Sequence, residues 1–223
     1  METIEETFTY QQLTDEAKEK VKAWWYEHGL WHKWYEDSYE MFTEKGYDLG
    51  FIIGRINFTG FYSQGDGACW SGQIDIVQWL KTHTSDSIAR EAWCQLIQEG
   101  FTEKHMPIGF SGRYSHSGTM SIGYWEGALG GGYELDEEGC RMTFDSIFKG
   151  MYYTDLVDII TSSDFEFKSM TDIAEAIEQS ARDYADEIYK QLREEYDYLT
   201  SEENLIQSCE ANDWQFNNEG EMV

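Results

Sequence analysis

Leu13, Ala17, Val21 and Trp24 recur at helical spacing with polar residues between them, and Thr14-Asp15-Glu16 supplies a cap and two acids for the positive end of a helix dipole. The pattern predicts a helix that runs from Thr14 and ends at Gly29. A second helix is predicted from Trp31 to Glu44, with Trp31, Trp34, Tyr35, Ser38, Met41 and Phe42 on neighbouring faces and Gly46 as its stop. Its aromatic stripe reads as helix-on-helix core in preference to a recognition cage. The texture then changes. Tyr47–Phe58 and Cys69–Val77 are rich in β-branched and aromatic residues and predict an antiparallel pair, joined by the stretch between them. A helix from Ser85 to Glu99 follows, capped by Ser85, with Ile88, Ala92 and Leu96 on one face. After Pro107, the runs Ile108–Tyr114 and Thr119–Trp125 predict a second strand pair joined by Ser115-His116-Ser117-Gly118, and residues 127–132, GALGGG, an exposed loop.

The rest of the chain is acidic and mostly helical. Ile173, Ala176 or Ile177, Ala181, Tyr184, Ile188, Leu192 and Tyr196 mark one long amphipathic helix from Met170 to Tyr198. Thr200 or Ser201 caps a last helix reaching Ala211, and Trp214–Phe216 adds a short edge strand. The order predicts an α+β fold, an antiparallel sheet with helices packed on it and long acidic helices at the C-terminal end. One domain over 1–223 is expected, with helices and motif-bearing strands in 1–130 and acidic helices in 131–223. Hydrophobic residues make up 41% of the 223, enough for a sizeable core, and Trp24, Trp34, Phe42, Ile53 and Ile188 are expected in it.

Charge changes the picture most. Residues 131–223 carry 24 Asp/Glu against 6 Lys/Arg (−18), and residues 1–130 carry 19 against 10 (−9), which together give the net −27. Such a chain repels nucleic acid phosphates and anionic membranes, which argues against direct binding to either. It attracts basic surfaces, above all those of proteins whose own ligand is nucleic acid. On the long helix, Asp172, Glu175, Asp183, Asp186, Glu187 and Glu194 are the candidate partner-binding carboxylates; the plainer alternative is a solvated face that keeps the chain soluble.

The opening METIEETFTY has neither the basic nor the apolar region of a signal peptide, and no run reaches the ~18 apolar residues of a membrane span, so a cytosolic location with free thiols is expected. Cys69, Cys94, Cys140 and Cys209 are far apart and lack histidines at ligand spacing, so neither a metal nor another cofactor is implied.

The stretch Phe58–Gly72, FTGFYSQGDGACWSG, is the candidate site. Its glycines allow close backbone approach, Ser63, Gln64 and Asp66 supply polar groups, and Phe61, Tyr62 and Trp70 can exclude water. The structural alternative is a hairpin loop in which Asp66 caps backbone N–H groups. His116, between Tyr114 and Ser117, lies in the second connection. If both connections emerge on one side of a shared sheet, His116 and Asp66 make a base and an orienting carboxylate, with Ser63, Ser117 or Cys69 as nucleophile. Neither a dinucleotide fingerprint nor a phosphate loop is present, and only Arg55 and Arg113 lie near the motif to meet a phosphate.

The pattern F-x-G-F-x-S-Q-G-D-G-A-x-x-x-G resembles a family of uncharacterised proteins common in bacteriophage genomes, some of which carry an automatic label of antitoxin-like. FTYQQLTDEAKEKVKAWW, YSHSGTMSI, IYKQLREEYDYLTSEE and ANDWQFNNEGE are similar to further segments of that family, while residues 127–148 diverge. The resemblance implies a phage origin and assigns no catalytic residue. With the charge, it leads to the expectation of an acidic protein that binds and inhibits a host factor, a defence or nucleic-acid-handling protein, in the manner of a nucleic-acid mimic. The alternatives are a binder of nucleotide-derived signals using Ser63, Gln64, Asp66, Trp70, Tyr114, His116 and Ser117, and a hydrolase built on His116 and Asp66.

Overall fold

Strict alternation fails in the stretch Phe51-Ile-Ile-Gly-Arg-Ile-Asn-Phe58, whose buried positions shift from odd to even numbers partway along, and the sheet explains why. The computed structural model describes residues 6–29, 33–85, 87–100, 102–123 and 152–223. In it, β1 (Phe51–Thr59) pairs antiparallel with β2 (Gly67–Asp75), and the register slips between Ile53 and Arg55. Gly54 is the extra residue of a β-bulge, which turns Phe51 and Ile56 toward the same buried side. Opposite the bulge, a Cβ on Gly72 would lie 2.1 Å from the Ile52 carbonyl oxygen, so no larger residue fits there.

The chain divides into two compact units, residues 39–189 and residues 1–38 with 190–223. Among its described residues the first holds a four-stranded antiparallel sheet in the order β1-β2-β3-β4, with helices packed on it, an α+β arrangement. Helix α2 (Glu36–Asp48) enters this unit, and it starts and ends later than its sequence pattern suggests. Gly46 does not stop it. Gly46 lies inside the helix because a Cβ there would meet the Ile53 side chain at 2.8 Å, and the stop is Gly50, at φ 91°. Tyr47 therefore belongs to the helix and not to the first strand.

Likewise β2 ends at Asp75. There the carboxylate accepts from the Gln78 N–H at 3.0 Å and opens α3 (Ile76–His83), a helix that the apolar run Ile76-Val77 disguises as strand. Helix α4 (Ile88–Gln98) is capped by Ser87, whose hydroxyl accepts from the Arg90 N–H at 3.1 Å; Ser85 is not the cap. Ile88, expected on the apolar face, is 75% exposed, while Ala89, Ala92, Trp93 and Leu96 are buried.

Strand β3 (His105–Phe110) pairs with β2 and with β4 (Met120–Ile122). β3 begins before Pro107, three residues ahead of the expected start at Ile108, and stops at Phe110, while β4 stops at Ile122; residues 124–132 lie outside the described ones. After α5 (Tyr152–Ser162), the long helix α6 (Met170–Leu199) buries Ile173, Ile177, Ala181, Ile188 and Leu192, as its periodicity predicts. It is bonded to the sheet by the Trp70 indole N–H, which donates to the Ala181 carbonyl at 3.1 Å. Two α6 side chains also reach the edge strand: Glu178 accepts from the Ile122 N–H at 2.9 Å, and Arg182 donates to the Met120 carbonyl at 2.8 Å.

In the other unit, Thr14 caps α1 (Asp15–Trp24), its hydroxyl accepting from the Ala17 N–H at 3.3 Å. The helix then widens into a π turn, Trp25–Gly29, where a Cβ on Gly29 would lie 2.1 Å from the Trp25 ring. The widening places Trp25 in the core and leaves Trp24 half-buried, the reverse of the expected assignment. Ser201 caps α7 (Glu202–Ala211), and Phe216 reaches back to bridge Phe8. Only that bridge and one to Met222 stand for the expected strand at 214–216. Phe42 and Ile188 are fully buried as expected, whereas Trp34 and Ile53 are half-buried, and Trp31 lies outside the described residues. Among the described residues no helix is long and apolar enough to cross a membrane.

Candidate functional site

Seven residues, 60–66, join β1 to β2, and Asp66 organises them. Its Oδ2 accepts from the N–H groups of Tyr62 (2.8 Å) and Ser63 (2.6 Å), and its own N–H donates to the Ser63 carbonyl at 3.1 Å. A Cβ on Gly60 would stand 3.0 Å from that carboxylate oxygen, and Gly65 turns the chain at φ 93°. Asp66 is half-buried.

The connection from β3 to β4 is built around His116. Its Nδ1 accepts from the Gly118 N–H at 2.9 Å and caps a single 3-10 turn, Ser117–Thr119, while the Thr119 hydroxyl donates to the His116 carbonyl at 2.7 Å. Antiparallel pairing of β2 with β3 brings both connections to the same end of the sheet. A Cβ on Gly67 would lie 3.0 Å from the Ser115 carbonyl oxygen and 3.1 Å from the His116 Cα; one on Gly65 would lie 3.2 Å from the Tyr114 ring. The Cys69 thiol faces the same contact, close enough for the Ser115 side chain and the His116 backbone to favour its thiolate. The two stretches singled out in the sequence are therefore neighbours, packed backbone to backbone. Ser115, which ties them, carried no signal in the local pattern.

Their chemistry is less than a catalytic set. Asp66 and His116 are not hydrogen-bonded to each other. With Nδ1 accepting from a backbone N–H, the neutral His116 ring carries its proton on Nε2 and presents a donor where a general base needs a lone pair. Cys69 is fully buried, and that burial pushes its thiol pKa up despite the Ser115 and His116 groups that favour the thiolate. Ser117 is buried too. Ser63 and Gln64 are exposed, and Ser63 contributes its backbone to the turn. Trp70 belongs to the core, fully buried under α6 and 5.2 Å from the Phe51 ring. Arg55 is held by Asn57 at 2.7 Å, and Arg113 is exposed. What the cluster presents to solvent is aromatic: Tyr62 is 72% and Tyr114 54% exposed, with His116 exposed as well.

The acids of α6 fall into separate groups. Asp172 caps the helix, accepting from the Lys168 and Ser169 N–H groups at 2.8 Å each, and Glu187 pairs with Lys45 at 2.5 Å. Glu175, Asp183 and Asp186 are exposed and carry no ion pair among the described residues. A cleft of about 330 Å³ opens beside them, lined by Ile122, Ala174, Glu175, Glu178, Gln179 and Arg182. Glu194, in the other unit, is exposed and lies 3.9 Å from Lys190.

A family described as "Domain of unknown function (DUF8835)" matches the chain over residues 34–202. No match is found among curated proteins or among solved structures.

Proposed function

Because the chain belongs to the DUF8835 family, whose description carries no activity, its function is read from its own surface, and we propose that it acts by binding a protein partner with a basic surface. The observation that carries this reading is the exposed side of α6, where Glu175, Asp183 and Asp186 stand at helical spacing with no cation paired to them among the described residues. Over its whole length the helix has nine carboxylates against three cations. A field of one sign steers an oppositely charged partner and fixes its orientation. The net charge of −27 points the same way, toward a protein whose own ligand is nucleic acid. On this reading the chain occupies that protein's basic groove in the cytosol of a host cell, and the phage-family resemblance of its motifs supports an inhibitory role.

The test begins with affinity capture from expressing cells and identification of the bound protein. Association with that protein should slow as salt is added, since charges are screened over ~8 Å at physiological ionic strength. Reversing Glu175, Asp183 and Asp186 to lysine should weaken binding more than reversing Glu91, Glu99 and Glu103. Salt-independent association, or equal effects from the two sets, removes the α6 surface from the function.

One observation favours a second reading. The contact of Gly65 and Gly67 with Tyr114, Ser115 and His116 makes a rigid aromatic platform on which a flat ligand can stack. Titration with a nucleotide panel, followed through the Tyr62, Tyr114 and His116 signals, tests it. Unmoved signals leave the motif as architecture.

A further inference from the structure

The unit formed by residues 1–38 and 190–223 has a cleft of its own. Helix α7 ends at Ala211, and Asp213 then takes a left-handed conformation at φ 52°, the one non-glycine residue among those described to do so. That turn reverses the chain. The Trp214 N–H donates to the Cys209 carbonyl at 3.0 Å, and the Trp214 ring stands edge-on to Trp24 at 5.7 Å. Between this turn and residues 9–11 lies a cleft of about 240 Å³. Tyr10, Ile206, Cys209 and Trp214 give it apolar walls, while Glu210 and Asp213, both exposed, place two carboxylates along it. The Gln11 amide holds Glu210 by donating to its Oε1 at 3.1 Å.

Three properties restrict what fits. The first is charge. Among the described residues no lysine or arginine lines the cleft: Lys18 lies over the Tyr10 ring at 5.9 Å, and Lys22 is paired with Glu19 and Glu202 at 3.1 Å each. The field reaches inward as well, since the Cys209 thiol is pushed up to about 11, first by burial and then by the Glu210 charge. The second is size, because 240 Å³ is smaller than the roughly 300–1,000 Å³ of sites that enclose whole small molecules. The third is the pairing of an indole with two carboxylates. A guanidinium answers all of these: it is planar, stacks on aromatic rings, is less hydrated than an ammonium and carries five donors in a fork.

We propose that this cleft receives one arginine side chain of the basic protein partner, its guanidinium packed against Trp214 and bonded to Glu210 and Asp213. The inference rests on the basic-partner reading above and adds a second, chemically specific contact to it.

The test uses the full chain and two blocked pentapeptides, acetyl-Gly-Gly-Arg-Gly-Gly-amide and its lysine counterpart, with the tryptophan indole N–H signals as readout. Trp214 is assigned from the signal lost in Trp214→Phe. The arginine peptide should shift that signal saturably, and the lysine peptide should bind about tenfold more weakly. The double variant Glu210→Gln/Asp213→Asn should lose most of the binding. It keeps the fold, because the amide at 210 still accepts from Gln11 and asparagine tolerates the left-handed region. Reversal of Glu175, Asp183 and Asp186 should leave peptide binding unchanged, which separates this site from the α6 surface: either can fail alone. An unmoved Trp214 signal, equal binding of the two peptides, or wild-type binding by the double variant overturns the proposal.

Discussion

Gly67 is where the two connections press on each other, and replacing it with alanine measures that contact. The added Cβ would stand 3.0 Å from the Ser115 carbonyl oxygen, 3.1 Å from the His116 Cα and 3.2 Å from its ring. Relaxed heavy-atom contacts lie near ~3.5–4.0 Å, so the second loop has to retreat by about half an ångström. Two of the three obstacles are backbone and cannot rotate away. Overpacking of this kind costs about 1–3 kcal/mol. The lost freedom of the unfolded chain returns ~0.4–1 kcal/mol, and Gly67 has no left-handed φ to add strain. The net expectation is a loss of ~1–2 kcal/mol, a fall in Tm of about 2–8 °C for a chain of this size. Urea unfolding and a thermal scan read it directly. Gly109→Ala is the control, because nothing lies within 4 Å of a Cβ there, and it should be neutral or stabilising. A Gly67→Ala protein as stable as wild type would mean that the loops are not held together at this point.

Asp66→Asn keeps an acceptor for the Tyr62 and Ser63 N–H groups and should cost little, while Asp66→Ala should cost about 1 kcal/mol, as the loss of a cap does; equal unfolding midpoints for the two would refute the turn. Ser87→Ala should destabilise by ~0.5–2 kcal/mol and Ser85→Ala by almost nothing, since only the Ser87 hydroxyl caps α4; urea midpoints decide. Cys209 is raised to about 11 in the folded chain, above its ordinary value of 9.0, so the unfolded chain releases this proton first. Its contribution is complete below about pH 9 and is lost as pH rises toward 11. Cys209→Ala should therefore flatten the decline in stability across that window, measured by urea unfolding at several pH values.

The helices that sequence reads best are those whose apolar spacing and caps agree. Thr14, Ser201 and the stripe from Ile173 to Leu192 fall where the pattern puts them. It misleads where a tertiary contact overrides a local signal. Gly46 looks like a stop but makes room for Ile53, and Ile76-Val77 looks like strand until the Asp75 cap is recognised. The helical period points to Trp24 as the core residue, and the π turn Trp25–Gly29 overrides it by placing Trp25 there instead. For the site, the Asp66 turn was readable because its partners lie within four residues. The approach of His116 to Gly67 was conditional on strand order, which no local pattern encodes. Ser115 and the bond from Trp70 to α6 depend on that order too.

The Glu178–Arg182 contacts on β4 have a consequence for how copies of the chain behave when concentrated. An edge strand offers unpaired N–H and C=O groups as a template for another molecule's strand. On β4, the Ile122 N–H and the Met120 carbonyl already hold a carboxylate and a guanidinium from the same chain, themselves joined at 2.7 Å. An incoming strand must first displace both, exposing two charges in order to gain two peptide hydrogen bonds. The sheet is thus terminated chemically at this edge, and β4 is a poor seed for edge-to-edge polymerisation.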